Sequence, residues 1–148
     1  MADRKVFAIA VVGIGLAVGS AYPAAADDPV AGPLNGLFTQ YRDSAKRSTW
    51  VIVSTCDPGG NCSGHATSSR GWTALVNRVA GGPWLIERDS PDDGWVCPDG
   101  SHTAAHLSYS LDPVTLAGTV ESTKQPGTCG SPATATDSDP INLVPVEA

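Results

Sequence analysis

The chain has 148 residues, a formal net charge of −6 and four cysteines. An acidic balance of this size disfavours nucleic acid and anionic lipid as partners, and Arg42, Lys46 and Arg47, the one local group of cations, read as a solvated turn between strands. The length is enough for one hydrophobic core without a second.

At the amino terminus Arg4 and Lys5 precede an apolar and glycine run from Val6 to Val18, followed by Ser20, Tyr22 and Pro23 and then Ala24, Ala25 and Ala26. That order of charge, apolar run and small residues predicts a secretory signal peptide over 1–26, cleaved after Ala26. The thirteen-residue run is shorter than the about 18 to 20 residues that span a bilayer as a helix, so no stable membrane anchor is expected after cleavage. The predicted mature chain has 122 residues, with seven basic against fourteen acidic side chains. Its expected place is outside the cell or in the cell envelope. Residues 27–36, rich in Pro and Gly, read as a flexible leading segment, and 37–148 as a single β domain.

Short runs rich in Val, Ile, Thr, Trp and Tyr then alternate with Gly, Pro, Asp and Ser. Leu37 to Arg42 and Thr49 to Thr55 alternate as half-buried strands, with Leu37, Thr39 and Tyr41 on one face of the first and Trp50, Ile52 and Ser54 on one face of the second. Cys62 to Ser68, Trp72 to Val79 and Trp84 to Arg88 follow. Thr103 to Ser110 and Leu116 to Lys124 flank an Asp-Pro-Val-Thr turn, and Pro126 to Pro140 reads as a long surface loop. Ile141 to Val146 reads as a closing strand, which Pro145 places at an edge. The whole predicts an all-β fold of about eight short strands, a small antiparallel barrel or sandwich; the barrel is preferred because sequential hairpins need no long crossovers.

All four cysteines fall beyond the leader, where thiols are expected to oxidise, so two disulfides are expected. Three pairings exist. Cys56 to Cys62 encloses a Asp-Pro-Gly-Gly-Asn turn that returns the chain beside itself, which favours Cys56 with Cys62 and leaves Cys97 with Cys129. A four-cysteine zinc site lacks the usual two-to-four-residue spacing.

Trp50 through Cys56, Cys62, Gly82-Pro83-Trp84, Cys97-Pro98-Asp99-Gly100, the hairpin from Tyr109 to Thr119 and Cys129-Gly130 together resemble a family of small secreted mycobacterial proteins. The resemblance spans most of the mature chain. It implies an exported protein of uncharacterised function and carries no catalytic residues.

Candidate chemistry is sparse. His102 and His106 are four apart and His65 is a conceivable third ligand, but no metal signature surrounds them and no metal or other cofactor is expected. Glu87, Asp89, Asp92, Asp93 and Asp99 fail the calcium-loop pattern, with Pro91 and Gly100 where ligating oxygens are needed. No Gly-x-Ser-x-Gly elbow is present and every cysteine is committed, so no catalytic residue is assigned and an enzyme is the lesser expectation. Trp50, Trp72, Trp84 and Trp95 are the richest apolar feature. They are expected either to pack the core or to contact a small apolar ligand or an envelope partner, with Trp95 the one best placed outside the core. A non-enzymatic binding role therefore ranks first, ahead of a hydrolase without a local motif and of a modulator acting on a partner protein through the Cys56 to Cys62 loop.

Overall fold

A computed structural model describes residues 32–147, so the expected leader lies outside the described residues. In chain order the strands are β1 (Gly36–Arg42), β2 (Ala45–Cys56), β3 (Cys62–Ser68), β4 (Thr73–Arg78), β5 (Trp84–Arg88), β6 (Trp95–Val96), β7 (His102–Thr103), β8 (Ala105–Leu111), β9 (Ala117–Lys124) and β10 (Ala135–Pro145). Eight of them close an antiparallel barrel in the order β1-β10-β9-β8-β5-β4-β3-β2, and β6 and β7 form a separate two-stranded ribbon. Successive strands of the barrel are neighbours in space, and closure comes from β10 lying antiparallel on β1 from Phe38 opposite Pro145 to Arg42 opposite Ile141. The barrel expected from the sequence is the fold.

Alternation sets which residues face inward. Phe38, Trp50, Ile52, Ala66, Val76, Trp84, Ile86, Leu107, Leu111, Val120, Ile141 and Leu143 are buried, while the positions between them, such as Thr55, Ser63, Asn77 and Glu121, face out. Apolar inside and mostly polar outside is the reverse of the pattern that lipid-facing barrel strands require. On β1 the inward set is Phe38, Gln40 and Arg42, so Leu37, Thr39 and Tyr41 share a face as expected, and that face is the outer one.

The β1–β2 connection is a two-residue turn in which Asp43 (φ 50°) and Ser44 (φ 63°) both take the left-handed conformation, the geometry that matches the twist of a hairpin. At the β8–β9 turn the Asp112 carboxylate accepts the backbone N–H groups of Val114 (2.8 Å) and Thr115 (2.9 Å). Those two bonds hold its carboxyl below the usual carboxylate range.

Two expectations are corrected. The loop read over Pro126 to Pro140 ends at Ala135, because Ala135 to Pro140 pairs with Lys124 to Thr119 and extends β10 to eleven residues. β10 is also not an edge. Its prolines are accommodated by phase: the Pro140 carbonyl accepts from Asp43 N (3.1 Å), so its missing donor points past the end of β1, whereas Pro145 is in phase with Leu143, whose N–H reaches Leu116 (3.0 Å) just beyond the start of β9. In both cases the absent N–H faces a place where the neighbouring strand has stopped.

One end of the barrel is plugged. Leu34 is buried there, its N–H donating to Ser54 Oγ (2.8 Å) and its carbonyl accepting from the same hydroxyl (2.9 Å), and Asn35 Oδ1 accepts from Ser54 N (2.7 Å). The last residues of the segment read as flexible are thus fixed to the barrel. Gly118 sits at the same end, where a Cβ would lie 1.8 Å from the Ser110 carbonyl oxygen. Gly118→Ala is expected to destabilise by about 3 kcal/mol, the upper end for overpacking, measured by urea unfolding; an unchanged midpoint would show that the strands can part there without cost.

Both disulfides form as expected, Cys56–Cys62 closing six residues and Cys97–Cys129 closing thirty-two. By loop-closure entropy, replacing Cys97 and Cys129 together by Ser should cost about 3 to 4 kcal/mol and replacing Cys56 and Cys62 about 2 to 2.5. Denaturant midpoints of the two double variants check the order; the reverse order contradicts it.

Candidate functional site

The other end of the barrel is open, and there the inward positions turn polar. Following the phase set by Phe38 and by Trp50 with Ile52, the next inward residues are Gln40 and Arg42 on β1, Ser48 on β2, Arg88 on β5, Ser122 on β9 and Asp139 on β10. They enclose, with an aromatic wall, a cavity of about 360 Å³. That volume is within the range of small-molecule sites.

The floor is a satisfied chain of hydrogen bonds. Trp50 Nε1 donates to Ser48 Oγ (2.9 Å), which donates in turn to Gln40 Oε1 (3.1 Å). Among the described residues no buried side-chain polar atom lacks a partner. The wall is built on Trp50, which meets Trp72 edge to face at 5.0 Å and Tyr109 at 5.2 Å. Leu107 completes it from β8. The Arg88 guanidinium lies 4.3 Å from the centre of the Trp72 ring, a cation–π contact, and 3.8 Å from Asp93. Arg42 grips Asp139 through Nε (2.8 Å) and Nη2, and Nη2 also reaches Ser122 Oγ (3.4 Å).

A β-bulge adds a further cation. Gln40 pairs with Ser48 but Tyr41 pairs with Lys46, so Arg47 is the extra residue of β2 and lines the mouth. Re-aiming a side chain at a rim is a recurrent use of bulges.

The mouth is partly roofed by the connection from β5 to β8, which carries the β6–β7 ribbon with Trp95 opposite Thr103 and Val96 opposite His102. Trp95, Val96 and His102 line the cavity from above. A Cβ at Gly94 would come 2.6 Å from the Ala105 carbonyl, so this backbone rests directly on β8. The ribbon's turn is held by Asp99, whose Oδ1 accepts from Ser101 Oγ (2.6 Å) and N (2.9 Å), which lowers its pKa. Cys97–Cys129 then fastens the roof to the β9–β10 connection.

The four tryptophans therefore separate. Trp50, Trp72 and Trp95 line the cavity, Trp50 from a buried position in its wall, whereas Trp84 is buried toward the plugged end and does not line it. His65 lies on the outer face of β3, separated from β8 by β4 and β5, and does not meet His106. His106 is also outside the cavity, bound through Nε2 to Glu87 (2.5 Å) and through Nδ1 to Asp89 (3.2 Å). Ser108 Oγ donates to Glu87 Oε1 (2.9 Å), so a carboxylate stands between serine and histidine where a nucleophile would need the imidazole as its base. Among the described residues no group of His, Cys, Asp and Glu is arranged to hold a metal ion, and no helix is long and apolar enough to cross a membrane. No family model, curated protein or solved structure matches the chain.

Sequence reasoning missed Gln40, Arg42, Ser48, Arg88, Ser122 and Asp139. Their only signal was phase with the buried apolar residues of the same strands.

Burial raises the Tyr109 phenol above its ordinary value, against a hydrogen bond from Arg88 that favours the ionised form. The phenol thus stays neutral in the folded protein at a pH where the unfolded chain ionises. Its contribution to stability is full below about pH 10 and is lost as pH rises through the raised folded value. Denaturant midpoints followed into the alkaline range should fall, and Tyr109→Phe should remove part of that fall; an identical alkaline profile in the variant would refute the assignment.

Proposed function

We propose that this chain is an exported, non-enzymatic binding protein whose open barrel end takes one small ligand. The observation that supports this most strongly is the contrast between the two ends: one is filled by side chains and closed by Leu34 bonded to Ser54, and the other keeps an aromatic-walled cavity with a polar floor and a fixed roof. Small eight-stranded barrels either fill their interior or hold one small ligand, and here each end does one of these. The two disulfides are compatible with an oxidising, extracellular setting. Trp50, Trp72, Tyr109 and Leu107 offer an apolar wall, while Arg47, Arg70 and Arg88 offer donors at the rim. A ligand with an apolar body and a polar group fits this lining better than a wholly apolar one.

The test uses tryptophan emission from the mature chain titrated with anilinonaphthalene sulfonate, an aromatic body bearing one acid group. Saturable binding at one site per chain is expected, weakened about tenfold by Trp72→Leu, equivalent to about 1.4 kcal/mol. A non-saturating response, or one indifferent to Trp72→Leu, counts against the cavity as the site.

A further inference from the structure

The charges around the cavity are segregated, and the segregation specifies what kind of molecule the site takes. In the ring of eight strands, β10 and β4 are four places apart in either direction, so they face each other across the barrel. On the β10 and β1 side the mouth carries Asp137, Asp139 and Asp43 against one cation, Arg42. From β2 round to β5 it carries Arg47, Arg70 and Arg88 against one acid, Asp93. Each arc has three charges of one sign and one of the other. Lys124, at the end of β9, points to the Thr128 carbonyl (3.3 Å) and does not line the cavity.

Internal pairing leaves this separation in place. Arg42 is held by Asp139, but Asp43 and Asp137 make no ion pair among the described residues. Across the barrel Arg70 and Arg88 share Asp93 at 3.9 and 3.8 Å, while Arg47, on β2 beside β1, has no acidic partner among the described residues. The basic arc is also positioned in advance: Arg70 Nε donates to the Arg47 carbonyl (3.3 Å), and Arg88 is laid on Trp72. Donors already in place lose less conformational freedom on binding. Trp50 on β2, Trp72 just before β4, and Tyr109 and Leu107 on β8 complete the lining.

Building on the ligand-binding reading above, we propose that the cavity selects a small zwitterion of the amino-acid class, its acid group toward Arg47, Arg70 and Arg88, its ammonium toward Asp137 and Asp43, and its apolar body on the aromatic wall. A purely anionic ligand meets only one arc and lies near the carboxylates of the other, and a purely cationic ligand suffers the converse. Complementary charge of both signs discriminates through repulsion as well as attraction.

Three probes with the same phenyl body separate these cases: L-phenylalanine, phenylpropionate, which lacks the amine, and phenylethylamine, which lacks the acid. Titrated calorimetrically into the mature chain at low salt, phenylalanine is expected to bind about tenfold or more tightly than either of the others. Asp137→Asn should weaken phenylalanine and leave phenylpropionate unchanged or tighter, whereas Arg70→Gln should weaken both of these and leave phenylethylamine unchanged or tighter. Phenylpropionate binding as well as phenylalanine overturns the proposal, as does failure of all three in a protein that binds anilinonaphthalene sulfonate; that second outcome leaves the ligand-binding reading standing. Failure of all four probes removes both.

Discussion

Closure of β10 on β1 is the constraint from which the rest of this molecule follows. Five residue pairs, Phe38 with Pro145 through Arg42 with Ile141, convert a meander into a ring and give every long strand two neighbours. An open meander of the same strands would expose a row of unpaired N–H and C=O groups along β1 and another along β10. Closure also creates an inside, and alternation then assigns each strand residue to it or to solvent. A side chain such as Ser48 or Gln40, unremarkable on a flat sheet, becomes a polar group in a confined space because Phe38, Trp50 and Ile52 fix the phase of its strand.

The interior is graded along the barrel axis. Toward the plug, Phe38, Ile52, Val76, Trp84 and Leu111 fill the section completely, and even Arg78 is buried, its Nε donating to the Gly82 carbonyl (2.9 Å). Toward the mouth the same strands supply Gln40, Ser48, Ser122 and charged groups instead. Polar atoms left unpaired in such a space would each cost about 1 to 3 kcal/mol. The chain from Trp50 through Ser48 to Gln40, and the grip of Arg42 on Asp139 and Ser122, avoid that cost without any ligand. The polar floor of the cavity is therefore satisfied within the protein itself.

Much of this was legible in the sequence, for reasons that can be named. Trp50, Ile52 and Ser54 alternate cleanly, Cys62 to Ser68 is bounded by turn residues on both sides, and the short spacing of Cys56 and Cys62 fits neighbouring hairpin strands; all three readings rest on local chemistry. The misses depend on distant partners. Ala135 to Pro140 carries Thr, Asp, Ser and Pro, which locally favour a turn, and becomes strand because β9 offers a ladder for it. The β6–β7 ribbon is only two residue pairs long, and it exists because its turn is bonded through Asp99 and tied to Cys129. On β1 both faces hold an apolar residue at the start, Leu37 and Phe38, so alternation alone does not say which is inward; Trp50 opposite Phe38 decides it. The polar lining of the mouth was hidden behind that ambiguity, since Gln40 and Arg42 read as solvent-facing until the phase is known.

The two disulfides do different work at the two ends. Cys56 and Cys62 are already register partners on adjacent strands, so their bond reinforces a hairpin that the β ladder has made. Cys97 and Cys129 join two connections that no ladder links, one bearing Trp95 and His102 over the cavity and the other leading into β10 with Asp137 and Asp139. Long connections at a barrel rim are ordinarily the most mobile part of such a fold. Here the roof is fixed from below by Gly94 packing on Ala105 and from the side by the Cys97–Cys129 bridge, which holds the aromatic roof and the acidic arc in one frame. The longer disulfide thus fixes Trp95 and His102 relative to the segment that leads into Asp137 and Asp139, a placement that the β ladders alone do not provide.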